Sequence, residues 1–370
     1  MVNSYCFNKH ILFFVVVFVF IGTTSMAANR GKLTGLHGDT TILPKSCRAC
    51  HRGMQMSIAG EEQACLRCHG NSATRQQMKI AGYISDQAGS DLKDIEAELS
   101  KPYNHPVLTI SGVHQQREVL PEDLVNAKRH SECVDCHEPH QLTKNAPYRG
   151  ISKRGVGNFS ADVTNEYQLC YKCHADSANL PANETNKREE FRLSNPSFHP
   201  VEGEGANAYV ISLKAPYRAR KERPGDISVI SCGDCHGSDS YDGPKGPHGS
   251  VYQGLLVDNY EMESGRSETP RAYALCYRCH ERSSILGNES FPYHSLHIQG
   301  NGTQEFAGTS CFTCHDAHGS TQNQYLIRFD DKVVEPNASG DLQFKAVGVA
   351  SRHGSCDLNC HGVDHEPKSY

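Results

Sequence analysis

The sequence predicts a loop-rich fold of short α-helices with minimal β-structure. The core of this fold is not expected to consist of aliphatic side chains. Only 37% of the 370 residues are hydrophobic, and one N-terminal apolar run inflates that share. The chain has no Trp, 32 Gly and 17 Pro, so side-chain burial alone would struggle to offset its conformational entropy. The 17 Cys and 21 His indicate what else fills the interior. A net charge of −5 without a concentrated Lys/Arg run excludes a basic nucleic-acid binder.

The N-terminus has the three parts of a secretory signal peptide. Lys9 and His10 precede an apolar run over 11–22, which is followed by small residues. We predict a signal at 1–27, cleaved after Ser25-Met26-Ala27, and assign no function to Cys6, which precedes the apolar run. The alternative is an uncleaved anchor, but a bilayer core requires about 20 apolar residues and this run is shorter. The mature protein is therefore expected to be exported.

The remaining cysteines form one repeated unit. Seven pairs read C-x-x-C-H, and the eighth, Cys356-Asp-Leu-Asn-Cys360-His361, is one residue longer. The pairs are Cys47/Cys50, Cys65/Cys68, Cys133/Cys136, Cys170/Cys173, Cys232/Cys235, Cys276/Cys279, Cys311/Cys314 and Cys356/Cys360.

C-x-x-C-H is the attachment signature of c-type haem. Two thiols at this spacing add to the two vinyl groups of the porphyrin, and the adjacent His is the proximal iron ligand. Disulfide scaffolds and zinc ribbons also use paired cysteines, but neither requires a His after every second Cys. We therefore predict eight covalently bound haem c groups. For Cys356/Cys360, whose loop is one residue longer, the alternative is a disulfide. The proximal ligands are His51, His69, His137, His174, His236, His280, His315 and His361.

The other histidines are numerous enough to give every iron a second imidazole. Met is scarce beyond the signal, so Met/His ligation should be rare and the haems should be six-coordinate and of low potential. The candidate distal ligands are His37, His105, His130, His140, His199, His248, His297 and His318. The histidines predicted to be bystanders are His114, His294, His353 and His365.

Sequence context supports part of this choice. His140 and His318 follow a proximal His by three residues, which predicts that they ligate a neighbouring haem rather than their own. His105 and His199 share a His-Pro-Val context, and His248 lies in Gly-Pro-His-Gly-Ser. The remaining two, His37 and His130, each lie upstream of a haem motif.

The motif order indicates internal duplication. His-Pro-Val, a C-x-D-C-H motif and Leu-Cys-Tyr-(Lys/Arg)-Cys-His occur twice in the same order, which predicts tandem two-haem modules. We predict modules at 28–102, 103–197, 198–290 and 291–370. An amphipathic helix is predicted near 91–100, with Leu92, Ile95 and Leu99 on the face that packs against the first module. Each haem motif is expected to begin or end a short helix, and loops are expected elsewhere.

These motifs resemble those of the doubled-CXXCH, cytochrome c3-like multihaem cytochromes. Leu-Cys-Tyr-Lys-Cys-His, Gly-Pro-His-Gly-Ser and Cys-His-Asp-Ala-His-Gly-Ser are the stretches that support the resemblance. It implies a multihaem cytochrome c fold around a haem stack and an electron carrier of anaerobic respiration in the periplasm, at the outer-membrane surface or outside the cell. Its partners would be donor and acceptor cytochromes or an outer-membrane conduit. The longer eighth motif departs from the family pattern.

We expect haem-to-haem electron hopping without bond chemistry, because an iron with two imidazoles has no open position. Haem propionates would make the protein more acidic and favour partners with Lys or Arg faces. Two alternatives remain open: a multihaem reductase with one open haem, and a filament subunit that self-associates through its terminal haems. Because haems replace the apolar core, we also expect a haem-free preparation to lack cooperative thermal unfolding.

Overall fold

The computed structural model describes residues 33, 35–52, 60–109, 131–141, 163–176, 180, 184–207, 209–217, 229–303, 306–348 and 352–370. The signal peptide predicted at 1–27 lies outside these residues. The α-helices are α1 (Gly35–Gly38), α2 (Glu61–His69), α3 (Ser72–Ile80), α4 (Asp86–Asp91), α5 (Ile95–Leu99), α6 (Cys133–Cys136), α7 (Glu166–His174), α8 (Lys187–Glu190), α9 (Ala274–Tyr277), α10 (Arg282–Leu286), α11 (His294–Gln299) and α12 (Cys311–Cys314). The strands are β1 (Tyr103–Asn104), β2 (Ser197–Phe198), β3 (Gly249–Ser250), β4 (Gly319–Ser320), β5 (Val334–Glu335), β6 (Gln343–Ala346), β7 (Gly354–Cys360) and β8 (Val363–Ser369).

Short polar caps define many of these helices. The Asn71 side chain accepts hydrogen bonds from the amides of Ala73 and Thr74 and begins α3. Ser85 caps α4 by accepting from the amide of Ala88, and Asn186 caps α8 in the same manner. Local capping therefore sets where these three helices begin.

The helix predicted near 91–100 is interrupted. Helix α4 ends at Asp91, Leu92 is extended, and the Asp94 side chain caps a new helix, α5, by accepting from the amide of Ala97. A capping residue thus overrides the helical periodicity of the apolar side chains. Leu99 is buried, and Glu96 of α5 accepts a hydrogen bond of 2.9 Å from the side chain of Asn71.

Two short antiparallel ladders repeat one architecture. Strand β1 pairs with β3 through Tyr103–Ser250 and Asn104–Gly249. Strand β2 pairs with β4 in the same register, Ser197–Ser320 and Phe198–Gly319. Each first strand runs into a His-Pro-Val segment, and each second strand is the Gly-Ser of a His-Gly-Ser segment. The duplication seen in the sequence is therefore present in the backbone pairing.

The C-terminal region contains a four-stranded antiparallel sheet in the order β5-β7-β6, with β8 paired to β7. This is more β-structure than the sequence predicts. The β8 side chains are mostly exposed and do not alternate, and Pro367 is tolerated because β8 lies at the sheet edge. The sheet is small enough that the chain as described remains dominated by loops and short helices.

The apolar clusters of the described residues are small and rich in Tyr. One cluster consists of Tyr171, Ala175, Phe191 and Val201, and the other of Tyr273, Tyr277 and Ile298. Both lie beside haem motifs, since Tyr171 and Tyr277 are each one residue after the first Cys of their pair. The predicted fold class, short helices and loops with little regular structure, is confirmed. Among the described residues, no helix is long and apolar enough to cross a membrane.

Candidate haem-binding sites

We number the candidate sites 1 to 8 in the chain order of their Cys motifs. At sites 1 to 7 the motif forms a helical turn. Sites 2 and 4 end helices α2 and α7, and at the other five the carbonyl oxygen of the first Cys accepts a hydrogen bond of 2.8–3.0 Å from the amide of the motif His. The turn brings the two thiols and the imidazole to one side of the backbone. None of the sixteen cysteines of these motifs is in a disulfide.

Side chains within the motifs stabilise this turn. At site 3 the Asp135 carboxylate accepts a hydrogen bond of 2.7 Å from the amide of Glu132, and at site 5 Asp234 does the same with Ser231. At site 7 Ser310 accepts from the amide of Thr313. The residues between and just before the cysteines therefore preorganise the thiols for a common partner.

Site 8 is different. Cys356 and Cys360 lie in the extended strand β7, and His361 follows with a φ of 54°, a left-handed conformation. The expectation that every motif begins or ends a short helix holds for sites 1 to 7 and is wrong for site 8. Because the backbone between its two thiols is extended rather than turned, site 8 does not present them as the other sites do.

Six imidazole pairs face each other at nearly the same separation. Metal–imidazole bonds of about 2 Å on opposite sides of one iron, with each nitrogen about 1 Å from its ring centre, put the ring centres about 6 Å apart. The pairs and their separations are His51–His140 at 6.0 Å, His37–His69 at 6.1 Å, His137–His248 and His236–His318 at 6.2 Å, and His105–His174 and His294–His315 at 6.3 Å. Each pair joins one motif His to one other His, as two axial ligands of a single iron require.

The ring planes fall into two groups. At sites 1, 3 and 5 they are nearly parallel, with interplanar angles of 8°, 19° and 12°. At sites 2, 4 and 7 they cross at 55°, 64° and 46°. The two sites of a predicted module therefore differ in ligand orientation at the first two modules.

The remaining two motif histidines have an imidazole nearby as well. His280 of site 6 interacts electrostatically with His199, and its Nδ1 lies 2.9 Å from the hydroxyl of Ser212. His297 interacts electrostatically with His361 of site 8 and with His365. His199 and His297 are therefore close enough to these motif histidines to interact with them, which makes them candidate partners at sites 6 and 8.

The hydrogen bonds of these imidazoles suit iron binding through Nε2. A backbone carbonyl accepts from Nδ1 at both proximal and distal candidates, which fixes the ring and its tautomer. Such bonds are His37–Pro139, His105–Pro247, His199–Ala317, His236–Gly254, His297–Tyr293 and His315–Tyr325.

Burial keeps many of these imidazoles neutral, which is the form that binds a metal. It lowers the pKa of His69, His236, His248 and His280 to about 4 and that of His294 to about 3. Histidines that merely covered the surface would not be desolvated in this way. Burial, ring separation and Nδ1 bonding therefore agree that the residues fit haem iron.

The distal candidates are joined in pairs by the ladders. His105 donates its backbone amide to the carbonyl of His248 at 3.3 Å, and His199 does the same to His318 at 3.0 Å. His105, His248 and His318 face sites 4, 3 and 5, and His199 is the candidate for site 6. A second bond recurs at all three pairs, because Nδ1 of His37, His105 and His199 bonds to the carbonyl of the residue before His140, His248 and His318 respectively.

The structure departs from the predicted distal set at His294. His130 lies outside the described residues, as does His114, so their assignments stay predictions. His294, which the sequence left among the bystanders, lies opposite His315 of site 7. Its context, Phe-Pro-Tyr-His, matches neither the one shared by His105 and His199 nor those of His248 and His318, although His294 and His297 are three residues apart on α11, so both can face one side of that helix. The other two expected bystanders bond to C-terminal backbone: Nδ1 of His353 to Tyr370 and Nδ1 of His365 to Val363.

Electrostatic interactions relate consecutive sites to one another. Within modules, Cys68 interacts electrostatically with Cys50, Cys136 with Cys173, Cys235 with Cys279, and Cys314 with Cys356 and Cys360. Between modules, Cys170 interacts with Cys232 and Cys276 with Cys311. His69 of site 2 interacts electrostatically with His137 of site 3. Each site is therefore close enough to the site that follows it in the chain for their ionisable groups to interact.

Comparison with known families identifies the class of protein. Residues 153–326 match a model of outer membrane cytochrome MtrC/MtrF-like domains II/IV, and residues 126–179 match a model of the doubled CXXCH motif. The chain is a multihaem c-type cytochrome. Covalently bound haem c follows from this membership and from the motifs. Searches of curated proteins and of solved structures returned no match to this cytochrome.

Proposed function

We propose that this cytochrome is an exported octahaem electron carrier in which electrons pass along a single row of haems in chain order. The observation that supports this most directly is the set of imidazole pairs 6.0–6.3 Å apart, each made of one motif His and one other His. Each bound haem supplies a one-electron iron couple, and the protein supplies ligands, spacing and burial.

The proposed ligand set assigns two imidazoles to every iron. Sites 1 to 8 take His140, His37, His248, His105, His318, His199, His294 and His297 opposite their motif histidines. Two bound imidazoles leave no position for a substrate, which favours electron transfer over catalysis. The neighbouring thiols favour electron passage between consecutive sites, because they bring each site next to the following one.

The ligands also interlock the modules. His140, His248 and His318 belong to the predicted second, third and fourth modules, and each faces an odd-numbered site of the module before it. His37, His105 and His199 face even-numbered sites within their own modules. Each ladder holds a histidine that faces an odd-numbered site beside one that faces an even-numbered site. The backbone itself therefore fixes ligands of two neighbouring irons. The four modules at 28–102, 103–197, 198–290 and 291–370 are on this proposal mutually dependent.

Site 8 remains part of the proposal although its strand differs from the turns of sites 1 to 7. Cys314 of site 7 interacts with both Cys356 and Cys360, so a haem there would continue the row. The partners proposed are donor and acceptor cytochromes of an outer-membrane conduit, in keeping with the matched MtrC/MtrF-like domains. Export and a position at the outer-membrane surface or in the periplasm belong to the same proposal.

Carbon monoxide binding to the dithionite-reduced holoprotein tests this function against the reductase alternative. Closed irons do not bind the gas, so the visible spectrum should not change. A stoichiometric spectral change would show an open iron, and reduction of nitrite or hydroxylamine by the same preparation would then favour a reductase. Negative-stain microscopy tests the filament alternative, which predicts polymers where we expect single particles.

A further inference from the structure

We propose that Glu190 is a positioning residue that lowers the reduction potential of the iron bound between His236 and His318, making site 5 the hardest of the inner sites to reduce. The inference rests on the proposed function, since it assumes that these two histidines hold an iron. It concerns a distal imidazole whose Nδ1 lies 3.2 Å from a buried carboxylate of a separate element.

Glu190 ends helix α8, and its carboxylate reaches the ligand ring directly. Oε2 lies 3.2 Å from Nδ1 of His318, and the side chain is only 7% exposed. Asp316 also faces this nitrogen, at 3.6 Å, and accepts the backbone amide of His318 at 2.8 Å. The phenyl ring of Phe191 packs edge-on against the imidazole at 5.4 Å. The ring of His318 is therefore held in place by a charged acceptor and an aromatic wall.

Two cations keep this carboxylate ionised. Lys187 Nζ lies 2.9 Å from Oε2 of Glu190, and Arg328 contacts Oε1 at 3.4 Å while bonding to Asp316 at 2.6 Å. The three groups Glu190, Asp316 and His318 have the spacing of a metal site, but the Arg328 guanidinium already occupies the cation position between the two carboxylates.

An anionic acceptor on Nδ1 makes an imidazole a stronger donor to its metal. A stronger donor favours ferric over ferrous iron, because the extra positive charge is better stabilised, and the potential falls. The effect is larger in a buried site, where the surrounding dielectric constant is low. A neutral backbone carbonyl, the acceptor at His37, His105 and His199, has a weaker effect.

The duplicated ladder supplies an internal comparison at site 3. Glu98 occupies the place of Glu190, because a Cβ on Gly249 would collide with the carbonyl of Glu98, just as a Cβ on Gly319 would collide with that of Glu190. The carboxylate of Glu98, however, bonds to Lys101 at 2.7 Å. Nδ1 of His248 is buried and has no hydrogen-bond partner among the described residues, nor does Nδ1 of His137 across from it.

The residue two positions before the distal His also differs between these sites. It is Asp316 at site 5, but Gly246 at site 3, where no carboxylate reaches the ring. At site 1 it is Glu138, whose carboxylate lies 3.2 Å from Nδ1 of His140 but is 30% exposed and so is screened by water. The structure thus gives sites 3 and 5 opposite environments, which would divide the row into two pools of electrons at site 5.

The test compares Glu190→Gln with Glu98→Gln in the full-length holoprotein. Glutamine keeps the size of the side chain and its accepting oxygen but removes the charge. We expect Glu190→Gln to change the redox equilibrium of one haem about tenfold, a rise of about 59 mV for a one-electron couple. One low-spin EPR signal should change with it, since the ligand field of one iron changes. Glu98→Gln should leave both the titration curve and the EPR spectrum as in the wild type.

Spectroelectrochemical titration, haem content and EPR on the same samples separate the possible failures. If the wild type already contains a high-spin iron or lacks haems, the proposed ligation is wrong. If the wild type is fully low-spin and the Glu190→Gln curve superimposes on it, the role of Glu190 is overturned, as it is if Glu98→Gln shifts equally. Should Glu190→Gln fail to assemble, Arg328→Gln decides: freeing the carboxylate from its cation should lower one potential, and an unchanged or higher value contradicts the proposal.

Discussion

The backbone amide of His199 donates a hydrogen bond of 3.0 Å to the carbonyl oxygen of His318, and the same bond, at 3.3 Å, joins His105 to His248. Each bond couples two residues that face different motif histidines. On the proposed ligand set, a single backbone contact positions the ligands of two adjacent irons. The row of haems is therefore held by chain segments that cross from one module to the next.

The first prediction tests this interlocking at His140. His140→Ala should open the iron bound by His51, because the two rings face each other at 6.0 Å, and should leave the nearer motif His137 fully ligated. EPR should show one new high-spin signal. In a Cys47→Ser/Cys50→Ser background, which lacks haem at site 1, the same substitution should add no such signal. A high-spin signal that persists in that background would mean that His140 serves another iron.

A second prediction separates His294 from His365. His294→Ala should convert one haem to high spin, because His294 lies opposite His315 at 6.3 Å. His365→Ala should leave every haem low-spin, because this imidazole lies on the edge strand β8 and bonds to the nearby carbonyl of Val363. The reverse result, an open iron only in His365→Ala, would transfer the ligand role to β8.

The third prediction concerns an ion network beside the first ladder. Lys101 bonds to both Glu98 and Asp239 at 2.7 Å, and the Glu98 side chain is only 8% exposed. Lys101→Met should lower the free energy of unfolding of the holoprotein by about 1–3 kcal/mol, because a buried carboxylate loses its partner. Denaturant unfolding followed by circular dichroism measures this. Arg266→Met, which removes the partner of the exposed Glu263, is the control and should leave the stability nearly unchanged, because water screens this pair.

The fourth prediction addresses site 8. Replacing Cys356 and Cys360 with Ala should reduce the haem count from intact mass by one and leave the other seven haems attached. His353→Ala, a nearby substitution outside the proposed ligand set, should leave the mass at eight haems. If the double Ala variant and the wild type carry the same number of haems, site 8 is not an attachment site and the extended strand is its functional conformation.

Much of this architecture could be predicted from local sequence. The C-x-x-C-H turns form from neighbouring residues, with Asp135 and Asp234 capping their own motifs, so the proximal residues stand out without a fold. The duplicated order of motifs likewise indicates the repeat that the two equivalent ladders show. The periodicity of apolar residues predicts the wrong helix where a capping residue interrupts it. Asp94 is such a residue, and it splits the helix expected near 91–100.

The distal partners were harder to predict because each joins residues far apart in the chain. No residue near His140 in the sequence indicates that this histidine faces His51. The immediate sequence neighbours of His294 are neither Pro nor Gly. The C-terminal sheet was missed for a related reason. Strand β8 buries little and contains Pro367, so no alternating pattern marks it, and pairing with β7 alone makes it a strand.

Low-temperature EPR of the oxidised holoprotein, with intact mass on the same sample, tests the central claim most directly. We predict eight haems, all low-spin, in two classes of signal. Two parallel imidazole planes interact with the same iron orbital, whereas two crossed planes interact with two different orbitals. The interplanar angles are 8–19° at sites 1, 3 and 5 and 46–64° at sites 2, 4 and 7. A stoichiometric high-spin signal would contradict a closed row of bis-histidine haems and favour a reductase.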